Sequence, residues 1–393
     1  TTQKNWDDLE ESRKRGYLED FSADDLTQRF GKSVEYYIEL KQYFSSMPAS
    51  PQGTRPVPRN IPKTLISNAR RDLSFFEANY ELIDNSIDQW LKSINAGATM
   101  NLVIDIEFKS EFRKGSYKDN AGGMTEEQLY KIFIPGESTN LGIDTATIGS
   151  FGMGAKKAIF KLSDGATVIS CTETAHSQSC SVPERWEDVP NWDTIEGRCP
   201  PIGVGNTHIY FDKLFEPPLL GAISELRTKI GKIYKPILAH GIGGYTCTIN
   251  VNGKRISATK DISFSSAPGV TPKSFKFSKS FQNVAGTGFN VDLDFVLSLG
   301  LLRGLPSNTP GSITDEDFGI DVYANGRLID KYLKLEFGWG TSGMALASSG
   351  TKFVRGELHI TGNSLGIPWD THKREYLIDH PTAIWIKNQC RQY

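Results

Sequence analysis

The chain has 393 residues, of which 38% are hydrophobic and 23% charged, and its formal net charge is −2. That length suits two or three globular domains, and that balance gives no bulk electrostatic case for nucleic-acid binding, although a local basic groove would not show in it. No apolar run approaches membrane-spanning length, so a membrane protein is not expected, and the polar opening Thr1-Thr2-Gln3-Lys4 predicts no secretory leader.

Five cysteines without a Cys-x-x-Cys pair and six scattered histidines predict neither a disulfide framework nor a zinc site. Reduced thiols in the cytoplasm are the expectation.

Residues 1–60 read as a helical arm and linker. Val34, Tyr37, Ile38, Leu40 and Tyr43 fall at helical spacing, and residues 45–62 are rich in Ser, Pro and Gly. Residues 75–88 then form an amphipathic helix with two faces. Phe76, Tyr80, Ile83, Ile87 and Leu91 make an apolar stripe. Glu81, Asn85 and Asp88 stack opposite, with Asp84 beside them, and no cation follows until Lys92. Oxygen ligands grouped this way suit a hard divalent cation, and a carboxylate among them can act as a general base. An ordinary helix with an acidic, solvated outside would give the same pattern.

Leu102, Ile104, Ile106 and Phe108 alternate as a strand, residues 109–118 read as a charged turn, and a short strand should deliver Asp119. Asp119-Asn120-Ala121-Gly122-Gly123-Met124 is a carboxylate leading into a glycine pair. Residues 125–148 read as loop with a short helix at 126–133. Gly149-Ser150-Phe151-Gly152-Met153-Gly154 runs straight into a helix, whose backbone amides and positive N-terminal end would hold phosphate. Lys156 and Lys157 oppose the helix dipole there, and an anionic ligand would relieve that.

Residues 166–170 and 205–211 read as strands, and residues 177–201, with Trp186, Trp192 and three prolines, as an irregular insertion. Pro217-Pro218 marks a domain boundary. A helix is expected over 219–238, with Lys229, Lys232 and Lys235 on its outer side. A hairpin turns at Asn252-Gly253. Strands follow at 289–296, 320–323 and 355–360, with a closing helix over 381–391. Grouped strands and helices make this half α+β.

The ordered set of 75–88 helix, Asp119 turn and Gly149-to-Gly154 loop resembles the GHKL ATPase superfamily, which includes the ATPase half of DNA gyrase, the ninety-kilodalton heat-shock chaperones, histidine kinases, MutL-type repair proteins and MORC ATPases. Residues 323–332, 356–360 and 370–375 are similar to the MORC transducer domain. The resemblance implies an α+β chain. A GHKL-type α/β sandwich, a mixed sheet covered by helices, would span 61–216 with a lid at 125–148. A smaller α+β transducer-like domain would span 217–393.

It also implies site roles. Glu81 would be the general base, and Lys373 the cation reaching the terminal phosphate. Asn85 would hold magnesium, with Asp88 beside the nucleotide. Asp119 would accept from the adenine amino group, supported by Gly123, Met124 and Thr207. Gly149, Ser150, Phe151, Gly152, Met153, Gly154 and Lys156 would contact the phosphates. Ala121 departs from the family's Asp-x-Gly-x-Gly, and if that position needs positive φ, Gly122 would have to take the turn.

The function implied is a magnesium-dependent, slowly hydrolysing ATP switch. It would dimerise on ATP and act in DNA-related transactions, with DNA or protein partners and no membrane. A nucleotide-binding regulatory module with little hydrolysis is the alternative, and the Ala121 departure keeps it open. In the family the arm before the first motif often reaches a second copy of the chain; packing on its own copy is equally open. Lys273, Lys276 and Lys279, like the 229–235 lysines, could contact nucleic-acid phosphates or simply face solvent.

Overall fold

The computed structural model describes residues 6, 9, 11–45, 53–56, 71–133, 148, 154–186, 193–265, 271–282, 290–302, 318–339, 353–370 and 373–390. Three helices lead: α1 (Glu11–Asp20), α2 (Ala23–Phe30) and α3 (Val34–Ser45). Ser22 and Asp25 cap α2 reciprocally, and Gly31 ends it with positive φ. Trp6, Leu26, Tyr37 and Leu40 form a core of their own that closes on Phe112 of the same chain. Ile38 is 45% exposed, because one residue past Tyr37 turns it away from that core.

The main sheet has nine strands among the described residues, in the order β1-β6-β5-β4-β7-β3-β2-β8-β9. They are β1 (Gly53–Pro56), β2 (Leu102–Lys109), β3 (Lys114–Asp119), β4 (Ala166–Ser170), β5 (Ser177–Val182), β6 (Asp193–Cys199), β7 (Thr207–Phe211), β8 (Cys247–Val251) and β9 (Lys254–Arg255). β2 buries Leu102, Ile104, Ile106 and Phe108, as its alternation required. β8 runs parallel to β2, and the other pairings are antiparallel, so the sheet is mixed.

Two sequence readings need correction. Residues 177–201 are not an irregular insertion: β5 and β6 pair antiparallel inside the sheet. Pro183 and Pro200 stand just after the two strands and punctuate them rather than interrupt them. The stretch read as linker contains β1, which pairs with β6. Pro56, lacking an N–H, is tolerated because β1 is an edge strand.

The further helices among the described residues are α4 (Phe75–Asn95), α5 (Glu126–Lys131), α6 (Gly154–Leu162), α7 (Leu220–Ile233), α8 (Lys235–His240) and α9 (Pro381–Cys390). α4 and α6 pack against each other, and Ile83, Ile87 and Trp90 enter the core with Ile159 and Leu226. The single helix expected over 219–238 breaks at Tyr234, where Pro236 in the first turn of α8 has no N–H to bond backwards.

A second sheet has the order β10-β11-β14-β12-β13, made of β10 (Lys273–Phe281), β11 (Val291–Leu301), β12 (Gly319–Ala324), β13 (Arg327–Leu333) and β14 (Val354–Gly362). One sheet gives way to the other between Arg255 and Lys273, downstream of Pro217-Pro218. The prospective lysine rows do not form. Strand alternation turns Lys276 to the face opposite Lys273 and Lys279. Lys235 is buried and ion-paired to Asp261 at 2.9 Å and Glu357 at 2.8 Å. The described chain is thus mixed α+β, a large mixed sheet with helices followed by a smaller α+β unit. Among the described residues no helix is long and apolar enough to cross a membrane.

Candidate functional site

α4 begins at Ser74, whose hydroxyl accepts from the Glu77 amide while the Glu77 carboxylate accepts from the Ser74 amide at 2.7 Å. The helix then goes under cover on both sides. Glu81 is 9% exposed, and Asp84 and Asp88 are 1% each. A solvated outer face would leave these carboxylates in water, so that reading is excluded. Buried carboxylates need partners, and theirs come from distant parts of the chain.

Lys373 places Nζ 3.1 and 3.3 Å from the two Glu81 oxygens and 2.9 Å from Asp84 Oδ2. Burial works against that ammonium, but Asp84 and Glu81 outweigh it and raise its pKa. Lys373 sits at φ 56°, in the left-handed region, within a turn where Asp370 Oδ1 accepts from the amides of Arg374 and Glu375. Arg374 Nε reaches Glu77 Oε1 at 2.7 Å, pinning the same turn to the start of α4. Arg327, at the start of β13, brings Nη1 to 2.9 Å from Asp84 Oδ2. Tyr234 donates to Asp84 Oδ1 at 2.7 Å. One carboxylate thus collects groups from α8's entry, the second sheet and the 373 turn.

Gly154, the first residue of α6, abuts Glu81: a Cβ there would collide with Oε2. Asp88 Oδ1 accepts from the amide of Ile148 at 2.6 Å, which ties the approach to α6 onto α4. Lys156 lies in the first turn of α6 and is buried. Gly149, Ser150, Phe151, Gly152 and Met153 lie outside the described residues, as do residues 134–147 of the expected lid. Asn85 donates from Nδ2 to the Glu81 carbonyl at 2.5 Å, so its Oδ1 is the atom able to meet a cation.

At the other end, β3 delivers Asp119 beside Ser86 of α4. Ser86 Oγ is 2.7 Å from Asp119 Oδ2, and the amide of Ala121 donates to Oδ1 at 2.9 Å. Burial lifts this carboxyl to about 6, against those two bonds. Gly122 and Gly123 take positive φ and Ala121 does not, so alanine at that point distorts nothing. Gly123 needs its missing side chain too, since a Cβ would lie 2.6 Å from the Cys171 carbonyl. Thr207 is the cross-strand neighbour of Asp119, and its Oγ1 lies 3.0 Å from Ser170 Oγ. Ser170 in turn accepts from the amide of Met124 at 2.7 Å.

The sequence-predicted residues therefore fall into two groups along one helix. Glu81, Gly154 and Lys373 meet at one end, and Asp119, Gly123, Met124 and Thr207 cluster at the other. Sequence reasoning did not find Ser86, Tyr117, Ser170, Tyr234 or Arg327. The Asn-Gly turn before Arg327 and the hydroxyl-rich strand ends were the only available signals.

Residues 73–194 match the family model described as "Histidine kinase-, DNA gyrase B-, and HSP90-like ATPase". The match supports the GHKL superfamily, and with it ATP binding. It spans Glu81, Asn85, Asp88, Asp119 and the 149–154 loop, while Thr207 and Lys373 lie beyond it. No curated protein matches the chain. The mixed α+β architecture is consistent with a GHKL-type ATPase domain followed by a further α+β domain.

Proposed function

We propose that the chain is a magnesium-dependent ATP switch that binds ATP along α4 and hydrolyses it slowly. The observation that carries this reading is the buried carboxylate wall of α4 meeting both the start of α6 and a lysine from residue 373. Asp119 accepts from the adenine amino group and rejects a carbonyl at that position. The start of α6 offers its amides to the phosphates, with Lys156 in its first turn. Glu81 takes the proton of the attacking water, and Lys373 leaves Glu81 and Asp84 to meet the terminal phosphate.

Among the described residues, no group of three or more His, Cys, Asp or Glu side chains could hold a metal. The donors fit an ion held mainly by phosphate oxygens and water, with Asn85 Oδ1 as the protein's contribution. Magnesium, when bound, would neutralise phosphate charge and orient the triphosphate.

A second reading, a nucleotide-binding module with little hydrolysis that controls a protein partner, is favoured by one observation. Lys373 engages both Glu81 oxygens and so blocks the base. Phosphate release from the purified protein separates the two. With the first, Glu81→Gln binds ATP but releases phosphate about 100-fold more slowly or worse; equal release by wild type and variant would remove the base. Dimerisation on ATP and a role in DNA-related transactions complete the proposal. Their test is salt-dependent DNA binding and sedimentation, with and without a non-hydrolysable ATP analogue.

A further inference from the structure

Tyr117 on β3 and Ser86 on α4 are buried together against Asp119. The Tyr117 hydroxyl lies 3.1 Å from the Leu82 carbonyl and 2.9 Å from Ser86 Oγ, and Ser86 Oγ lies 2.7 Å from Asp119 Oδ2. These three contacts each need a hydrogen. With Asp119 ionised, the two hydroxyls supply only two, and one contact sets oxygen lone pairs against each other. With Asp119 neutral, hydrogens run from Oδ2 to Ser86, from Ser86 to Tyr117 and from Tyr117 to Leu82, and every contact is filled.

We propose that Ser86 and Tyr117 are specificity-determining positioning residues that pin the Asp119 proton on Oδ2, so that Oδ1 presents only an acceptor to the base whatever the protonation state. This inference rests on the ATP reading above. Oδ1 already accepts from the Ala121 amide and keeps a second lone pair. An adenine amino group can donate to it. A guanine carbonyl finds no hydrogen there. Without the chain, a neutral carboxyl could place its proton on Oδ1 and offer it to that carbonyl, eroding the discrimination.

The surroundings leave the task to these hydroxyls. Around the carboxyl stand Ser86 from α4, Thr207 from β7 and, bonded to Thr207, Ser170 from β4. Cys247 of β8 and Asp84 of α4 act on Tyr117. Lys118 and His208 pair with each other across β3 and β7 on the opposite face of the sheet, with Asp105 of β2. Burial raises the Asp119 pKa to about 6, which puts the neutral form within reach of mildly acidic conditions.

Two measurements on the full chain test this. Infrared titration of the nucleotide-free protein, with the Asp119 band assigned through Asp119→Asn, reads the proton directly. Tyr117→Phe relieves the missing-hydrogen contact of the ionised form, so its midpoint should lie lower by about one pH unit; a midpoint equal to wild type would overturn the chain. Competition of ATP and GTP against a fluorescent ATP analogue reads selectivity. Wild type should keep a constant preference from about pH 8 to about pH 5.5. Ser86→Ala should match it at the upper pH and lose about tenfold at the lower one, with Ser86→Thr restoring it. A Ser86→Ala preference that stays flat, or equal loss for both nucleotides at every pH, would overturn the selectivity role. A wild type that binds neither nucleotide while the Tyr117→Phe midpoint still moves would overturn the ATP reading and the selectivity with it, and leave the hydroxyl chain standing.

Discussion

Glu81 and Asp119 lie on the same side of the first sheet, yet their partners differ in kind. Glu81 faces a lysine ammonium, while Asp119 faces an amide and the Ser86 hydroxyl, which is bonded in turn to that of Tyr117. Burial with neutral partners makes Asp119 hold its proton more tightly than an ordinary carboxyl. Between the usual carboxylate value of about 4 and about 6, the native state therefore carries a proton that the unfolded chain has released. The contribution of Asp119 to stability is fullest below that window and is lost as pH rises through it. Denaturant midpoints measured across the window should show this slope in wild type and a flatter profile in Asp119→Asn. Asp119→Ala, which removes the acceptor altogether, should bind ATP about 10- to 100-fold more weakly by calorimetry; unchanged affinity would remove Asp119 from the base pocket.

At the scale of the element, α4 is held by charges it does not itself supply. Asp84 is the counter-ion for Lys373 and Arg327 together, and all three are buried. Removing it takes the carboxylate from beside Arg327 in a desolvated site and leaves Lys373 to Glu81 alone. Asp84→Ala is expected to cost about 3–5 kcal/mol in chemical denaturation, well above a surface change; a loss below about 1 kcal/mol would mean that water reaches the cluster. The two faces of α4 were legible at helical pitch, as were the alternation of β2 and the Asn252-Gly253 turn, where both residues take positive φ. The burial of the acidic face was not legible. It depends on Tyr234, Arg327 and Lys373, which lie far along the chain and reach α4 only through the tertiary fold. The β5–β6 hairpin was hidden for a different reason: short strands beside prolines have the composition of loops, and only pairing distinguishes them.

Across the whole molecule, the two halves meet, among the described residues, through buried charge at two places. Lys373 and Arg327 engage α4, and Lys235 of α8 engages Glu357 of β14. If phosphate drew Lys373 away, the Arg327–Asp84 and Lys235–Glu357 pairs would still join the halves. β8 sets a further limit. It joins the first sheet beside β2, although it follows α7 and α8 in the chain. A fragment stopped at residue 216 would strip away β8 and β9 and bare the backbone edge of β2, an invitation to stack edge to edge with its own copies. Such a fragment should elute as oligomers in size-exclusion chromatography. One carried past Arg255 keeps that margin covered, and is where dissection of the nucleotide-binding half should begin.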